Sequence, residues 1–333
     1  YRYFDKERLA WLDLLEVLND QLEDDRCPGL VLNLSGFRGR PSLLWEMRQK
    51  LQEFQAANKK IIIYAANLDA ATYYLASVAD TLVLDPWGMI DLPGQSLSRS
   101  YRRGTLEQLG LGVPEFRHVE YRSAAEPLRR DSMSEADREQ RQRIVDVIYE
   151  TRRNGVTASR PFDSAAFDRV VDEKVLVSAP EAVELGLVDT VGRWDDILAQ
   201  HYTYVPRRPN GPRLWDEQWG STLKIPVVYL VGVCAMDEGI KGRQTSQFLR
   251  RLVRDPNVPA VVLRVDSPGG EPLPSDLVAE AVRALKQAGK PVIVSQGDVA
   301  ASGGYWLSMD GSQVLTTPVT ITGSIGVIAG WIW

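Results

Sequence analysis

The stretch Val261-Val262-Leu263-Arg264-Val265-Asp266-Ser267-Pro268-Gly269-Gly270 decides the fold, because an apolar run of strand length ends in a glycine turn. Pro291-Val292-Ile293-Val294-Ser295 repeats the β-branched pattern further along. Short runs of this kind, bounded by Gly and Pro, read as buried strands. Between them, Ser275 to Ala288 carries Leu277, Val278, Ala281, Val282 and Leu285 on one helical face, with Ser275 as the expected N-cap. Strand, helix, strand predicts a parallel pair with a right-handed crossover. Loops at the carboxyl ends of such strands are where sites collect.

Two more motifs follow in order: Ala300-Ala301-Ser302-Gly303-Gly304-Tyr305-Trp306, then Thr322-Gly323-Ser324-Ile325-Gly326. Gly269 and Gly270 let the backbone approach a substrate and aim N–H groups at a developing oxyanion. Ser302 is expected to open the next helix, where Gly303 offers another N–H. Any one of these pieces alone is an ordinary turn. Together they predict an acyl-transfer site.

A shift of 231 residues carries the first part of the chain onto the last without gaps over about seventy positions. Leu30-Val31-Leu32-Asn33-Leu34 falls on Val261 to Val265, and Lys59-Lys60-Ile61-Ile62-Ile63 falls on Lys290 to Val294. Leu51 and Phe54 match Val282 and Leu285; Tyr74 and Ser77 match Tyr305 and Ser308. The chain is therefore read as a duplicated α/β unit. Gly269 and Gly270 correspond to Arg38 and Gly39, and Ser302 corresponds to Ala71, so the first copy keeps the fold and lacks the nucleophile.

With 333 residues and 44% hydrophobic content, the chain can form two domains with their own cores. A net charge of −5 argues against nucleic acid as a main partner. No apolar run reaches the length of a membrane span or signal peptide, although the chain reads as a fragment. Cys27 and Cys234 are expected to be core thiols. The organisation read from composition is a first, degenerate repeat over 1–200, a Pro- and Arg-rich linker over 201–224, and a second repeat over 225–333. Within the first part, residues 1–29 look helical, 99–131 read as strand and loop, and Ser134 to Arg153 reads as a long polar helix.

The three motifs of the second copy resemble those of the signal peptide peptidase A family of serine proteases. Tyr121-Arg122-Ser123-Ala124-Ala125-Glu126-Pro127 is similar to the family's Tyr-Lys-Ser-Ala-x-Glu-Pro segment, and Ala182 to Gly192, with Gly186-Leu187-Val188-Asp189, is similar to another family signature. The resemblance covers nearly the whole chain and is to the long, internally duplicated members. It implies an α/β fold of duplicated ClpP/crotonase-like ββα units. It also implies a membrane-associated homo-oligomer, with a tetramer favoured, whose soluble domain lies outside the cytoplasm and which degrades signal peptide remnants. The membrane segment would lie outside this chain, and no cofactor is implied. In the family a serine is the nucleophile and a lysine the base. Carried over, Ser302 is the nucleophile, Ser324 orients the base, and the amides of Gly269 or Gly270 and of Gly303 form the oxyanion hole. The base position is Arg122.

An arginine stays protonated and cannot take a proton from Ser302. Three explanations stand side by side: Arg122 inactivates an otherwise intact protease; the base is a lysine beyond Trp333; or the chain is a catalytically silent peptide-binding relative. A crotonase-type acyl-CoA enzyme is a further reading, since that fold also uses backbone amides, but the Ser-Gly-Gly helix start fits a protease better.

The remaining candidates have plainer readings. His118 and His201 are the two histidines and are read as structural or surface residues, although His118 can share a strand face with Arg122. Asp266 is read as capping a turn. Arg99 to Arg103 and Arg129-Arg130 are read as a solvated or interface face. Trp306 is expected to line a groove for apolar side chains. No His/Cys/Asp group has metal-ligand spacing, and no phosphate loop follows a strand.

Overall fold

The computed structural model describes residues 11–117, 120–201 and 223–330. The linker reading over 201–224 and His118 therefore fall almost wholly outside the described residues. In chain order the first elements are α1 (Trp11–Glu23), β1 (Gly29–Asn33), α2 (Pro41–Ala56), β2 (Lys60–Ala65), β3 (Leu68–Asp69), α3 (Ala70–Ala76), β4 (Thr81–Leu84) and β5 (Met89–Asp91). Next come α4 (Arg103–Gln108), β6 (Glu115–Arg117), α5 (Glu126–Arg129), α6 (Glu135–Thr157), α7 (Ser164–Glu173), β7 (Leu176–Ser178), α8 (Ala179–Glu184), β8 (Thr190–Val191) and α9 (Trp194–His201). The last are β9 (Val227–Val231), α10 (Gly242–Arg254), β10 (Val261–Ser267), α11 (Pro272–Gln287), β11 (Val292–Ala301), α12 (Gly303–Met309), β12 (Gln313–Leu315), β13 (Ile321–Gly323) and β14 (Ile328–Gly330).

These elements group into two units, each made of two chain segments. Tyr1–Gly94 groups with Tyr149–Pro212, and Gln95–Ile148 with Arg213–Trp333. The first unit holds a parallel sheet in the order β1-β2-β4-β8 and a small sheet β3-β5-β7. Its core is built by α2, whose Leu51 and Phe54 are fully buried together with Ile61 and Ile63 of β2. The second unit holds a parallel sheet β12-β11-β10-β9, with β13 also on β11 and a separate antiparallel pair β14-β6. Val261, Leu263 and Val265 alternate inward along β10 and meet Val278, Val282 and Leu285 of α11. β-branched residues suit such a pleated, buried surface.

The two units repeat one plan. Helices α1 and α10, and likewise α2 and α11, begin and end at positions 231 apart. The rung Leu30↔Ile61 has its counterpart in Val261↔Val292, and Leu68↔Ile90 in Val299↔Ile321. Lys59 Nζ donates to the carbonyls of Gln21 and Asp24, at 2.8 and 2.7 Å. Its equivalent Lys290 donates to those of Leu252 (2.6 Å) and Asp255. Each ammonium thus binds carbonyls at the C-terminal end of a helix, where donors are lacking and positive charge is favoured. The duplicated α/β units expected from the sequence are present.

Two local expectations are corrected. α11 starts at Pro272 with Glu271 as N-cap, and Ser275 lies inside it with Oγ donating to the Glu271 carbonyl at 2.8 Å. A proline at the first helical position has its φ preset and loses no needed N–H, so it moves the start back a turn. Residues 99–131 contain the short helices α4 and α5 beside one strand. No helix among the described residues is long and apolar enough to cross a membrane.

Candidate active site

The site forms where β10, β11 and β13 end. The last rung between β11 and β13 pairs Ala301 with Gly323, so Ser302 and Ser324 follow on adjacent strands. Ser302 N–H donates to the Gly323 carbonyl at 2.8 Å. Ser302 caps α12 with φ 54° and ψ −116°, a strained backbone for a residue with a side chain. Ser324 also has positive φ, at 50°.

The turn after β10 is clamped against Ser302. Gly269 has φ +97°, and a Cβ there would lie 2.6 Å from Ser302 Cβ and 2.7 Å from Gly303 N. A Cβ on Gly270 would lie 2.5 Å from the Cys234 carbonyl. Only glycine fits either position. Gly269 donates its N–H to Ser267 Oγ at 3.2 Å, so that amide faces the strand end. Ser267 Oγ is 3.3 Å from the buried Cys234 Sγ. Cys234 N–H donates to the Gly269 carbonyl, and Glu271 N–H to the Cys234 carbonyl, both at 2.8 Å. Gly270 is thus bracketed by fixed neighbours on both sides. Gly303 is the first residue of α12, where N–H groups have no acceptor within the helix.

Arg122 is delivered by the first turns of α6. Ser134 Oγ caps α6 by accepting from Asp137 N–H at 3.1 Å and donates to the buried Glu126 at 2.7 Å. Asp137 accepts from Ser123 Oγ at 2.6 Å, from Arg99 at 2.7 Å and from Arg141 at 3.0 Å. Burial pushes the Asp137 carboxyl up, but the bonds from Ser123, Arg99 and Arg141 outweigh it and hold it below the usual carboxylate range. Arg99 also donates to the Ser123 carbonyl at 2.7 Å, and Gln140 to the Tyr121 carbonyl at 2.9 Å. Both neighbours of Arg122 are therefore fixed. Further upstream, β6 pairs antiparallel with β14, which follows Ser324 in the chain.

From this anchor the guanidinium spans both serines. Arg122 Nη2 donates to Ser302 Oγ at 3.0 Å, and Nη1 donates to the Ser324 carbonyl at 2.7 Å and to Ser324 Oγ. Its Nε is buried without a hydrogen-bond partner among the described residues. A guanidinium is all donor and no acceptor, so Arg122 can hold Ser302 Oγ but not remove its proton. Arg122 and Ser302 line a cleft of about 350 Å³ together with Tyr305, Trp306 and Met309 of α12 and with Ile325 and Val327. Among the described residues no acidic side chain lines it.

The family model for "Peptidase family S49" matches residues 53–204 and 284–332. The chain belongs to peptidase family S49. It is 32% identical to Protease 4 of Salmonella typhi over 96% of this chain and 56% of that protein. It is 27% identical to the chloroplastic serine protease SPPA of Arabidopsis thaliana, over 92% of this chain and 48% of that protein. The chain thus spans about half the length of these relatives. A solved structure of a Listeria monocytogenes ClpP1 mutant aligns with 26% of this chain and 46% of its own, at 19% identity and a TM-score of 0.23.

In this S49 chain the structure brings together Ser302, Arg122, Ser324, Gly269, Gly270, Gly303 and Trp306, all the residues singled out from the sequence. His201 closes α9 in the other unit and is exposed. Asp266 accepts from Val299 N–H at 3.2 Å, tying strand to strand. Arg99, read as part of a solvated or interface face, is paired within the chain with the buried Asp137, its own side chain 11% exposed. Asp137, Ser267 and Cys234 were not anticipated as parts of the site. The bonds that tie them to the site, Ser123 to Asp137 and Cys234 to Ser267, join residues 14 and 33 positions apart, which local spacing does not reveal. Among the described residues no group of His, Cys, Asp or Glu is arranged to hold a metal ion.

Proposed function

We propose that this chain carries the peptide-cleaving site of an S49 serine peptidase, with Ser302 as the nucleophile. The observation that carries the reading is the convergence of Ser302, strained on a helix start, with the Gly269-Gly270 turn beside an apolar cleft. Ser302 Oγ attacks a peptide carbonyl and the oxyanion is taken up by the N–H groups of Gly270 and Gly303. The Gly269 amide is left out, being bonded to Ser267. The Ser302 proton passes to a neutral base and then to the leaving amine. Arg122 does not serve, so the base is a lysine from outside the described residues, with Ser324 orienting it. Substrates are extended apolar peptides such as signal peptide remnants, seated along Trp306 and Ile325. A homo-oligomer at the cell membrane, with this domain outside the cytoplasm, belongs to the same proposal, as does a division into repeat domains over 1–200 and 225–333.

A second reading is favoured by the bond from Arg122 Nη2 to Ser302 Oγ, which occupies the place a base would need. Under it the protein is a catalytically silent peptide binder. Fluorophosphonate labelling, read by mass spectrometry, separates the two. Labelling at Ser302 that vanishes in Ser302→Ala supports the peptidase with its base elsewhere. Labelling that appears only in Arg122→Lys means that Arg122 silences a competent nucleophile. Absence of labelling in every form sinks the peptidase reading.

A further inference from the structure

Among the described residues, no side chain lining the cleft balances the charge of Arg122. The described side chains that line the cleft with the guanidinium are neutral, and its bonds go to a hydroxyl, a carbonyl and a second hydroxyl. Its Nε lies buried without a partner among the described residues. A cation in this setting is incompletely compensated, and a planar guanidinium matches a carboxylate in shape and charge. The adjacent walls, Trp306, Met309, Ile325 and Val327, suit apolar side chains.

We propose that the cleft binds apolar peptides by their free C-terminal carboxylate, which sits on Arg122 beside Ser302 with the last side chains against Trp306 and Ile325. The ligand class is therefore peptide acids, such as the products that cleavage releases, rather than uninterrupted chains. This inference rests on the reading of the cleft as a peptide site, but not on Ser302 being an active nucleophile. The carboxylate exchanges with the hydroxyl bonds that Arg122 now makes to Ser302 and Ser324. Those hydroxyls can in turn donate to the carboxylate.

The experiment is calorimetric titration of the protein with one leucine-rich hexapeptide in two forms, the free acid and the C-terminal amide. The acid is expected to bind at least about tenfold more tightly, as a charge-assisted bidentate pair contributes in a partly buried site. Arg122→Gln is expected to bring the two forms level, Arg122→Lys to keep part of the difference, and Ser302→Ala, which removes one neutral donor and leaves the cation, to keep the larger part of it. Circular dichroism confirms that each variant is folded. Equal binding of acid and amide by the unmodified protein overturns the carboxylate assignment and leaves the peptide cleft standing. A preference that persists in both Arg122 variants also overturns it, since another cation would then be responsible. Binding of neither form overturns this inference together with the peptide reading of the cleft.

Discussion

Ser302 holds a backbone conformation that glycine adopts freely and a serine only under strain, with φ 54° at the head of α12. Residues held in such regions cost of order 1–3 kcal/mol each. Two variants separate that strain from the loss of the hydroxyl. Ser302→Gly and Ser302→Ala both lack Oγ, but only glycine relieves φ. Ser302→Gly is expected to be about 1 kcal/mol more stable than Ser302→Ala, measured as the difference in urea unfolding. Equal stability would mean that the turn stores no strain at this residue. The motif around Ser302 was legible because Gly and Ser punctuate the ends of β-branched runs. The Ser267–Cys234 clamp was not, because a buried thiol reads in sequence as any core residue.

At the scale of elements, the segment Tyr121–Pro127 is held by α6 through Asp137. Asp137 has a folded pKa below its unfolded one, so its stabilisation is present above the unfolded value of about 4 and is lost as pH falls through the folded value. Comparing the protein with Asp137→Asn tests this. The gap in thermal midpoint is expected to be constant between about pH 5 and 7 and to narrow below about pH 4. A gap that is the same at all pH values would mean that the carboxylate charge is not what anchors the segment. The strands and helices of both repeats were readable because apolar spacing sets them locally. The start of α11 was misplaced by a serine that looks like a cap, where Pro272 fixes the start instead. The role of Arg99 was hidden because its partner lies 38 positions on, beyond α4, β6 and α5, and not at helical spacing along one face.

At the scale of the whole molecule, each unit is tied together by cations that cross from one segment to the other. In the first unit the buried Arg48 donates to the Tyr74 carbonyl, Ser77 Oγ at 2.9 Å, the Gly155 carbonyl and Ser159 Oγ at 2.7 Å. Burial lowers the Arg48 guanidinium to about 10, which leaves it charged at neutral pH. Arg48→Met keeps much of the volume and strands these acceptors. It is expected to cost about 3–5 kcal/mol in urea unfolding, with Arg48→Lys falling between. A cost below about 1 kcal/mol would show that water satisfies the acceptors instead.

The interleaving of the two units has a consequence for the order in which the molecule is made. A chain emerging from the ribosome delivers Gln95–Ile148 long before the strands that this segment joins. Until β14 arrives, β6 has no partner strand, and until Ser302 and Ser324 arrive, Arg122 has nothing to hold. Domains tend to fold as units during synthesis, N-terminal first. Here the segment bearing Arg122 must wait, tethered to a neighbour it does not belong to. The cleft therefore stays open until β11, β13 and β14 have been made, and a chain cut short before them holds the Arg122 segment with neither its partner strand nor the two serines it grips.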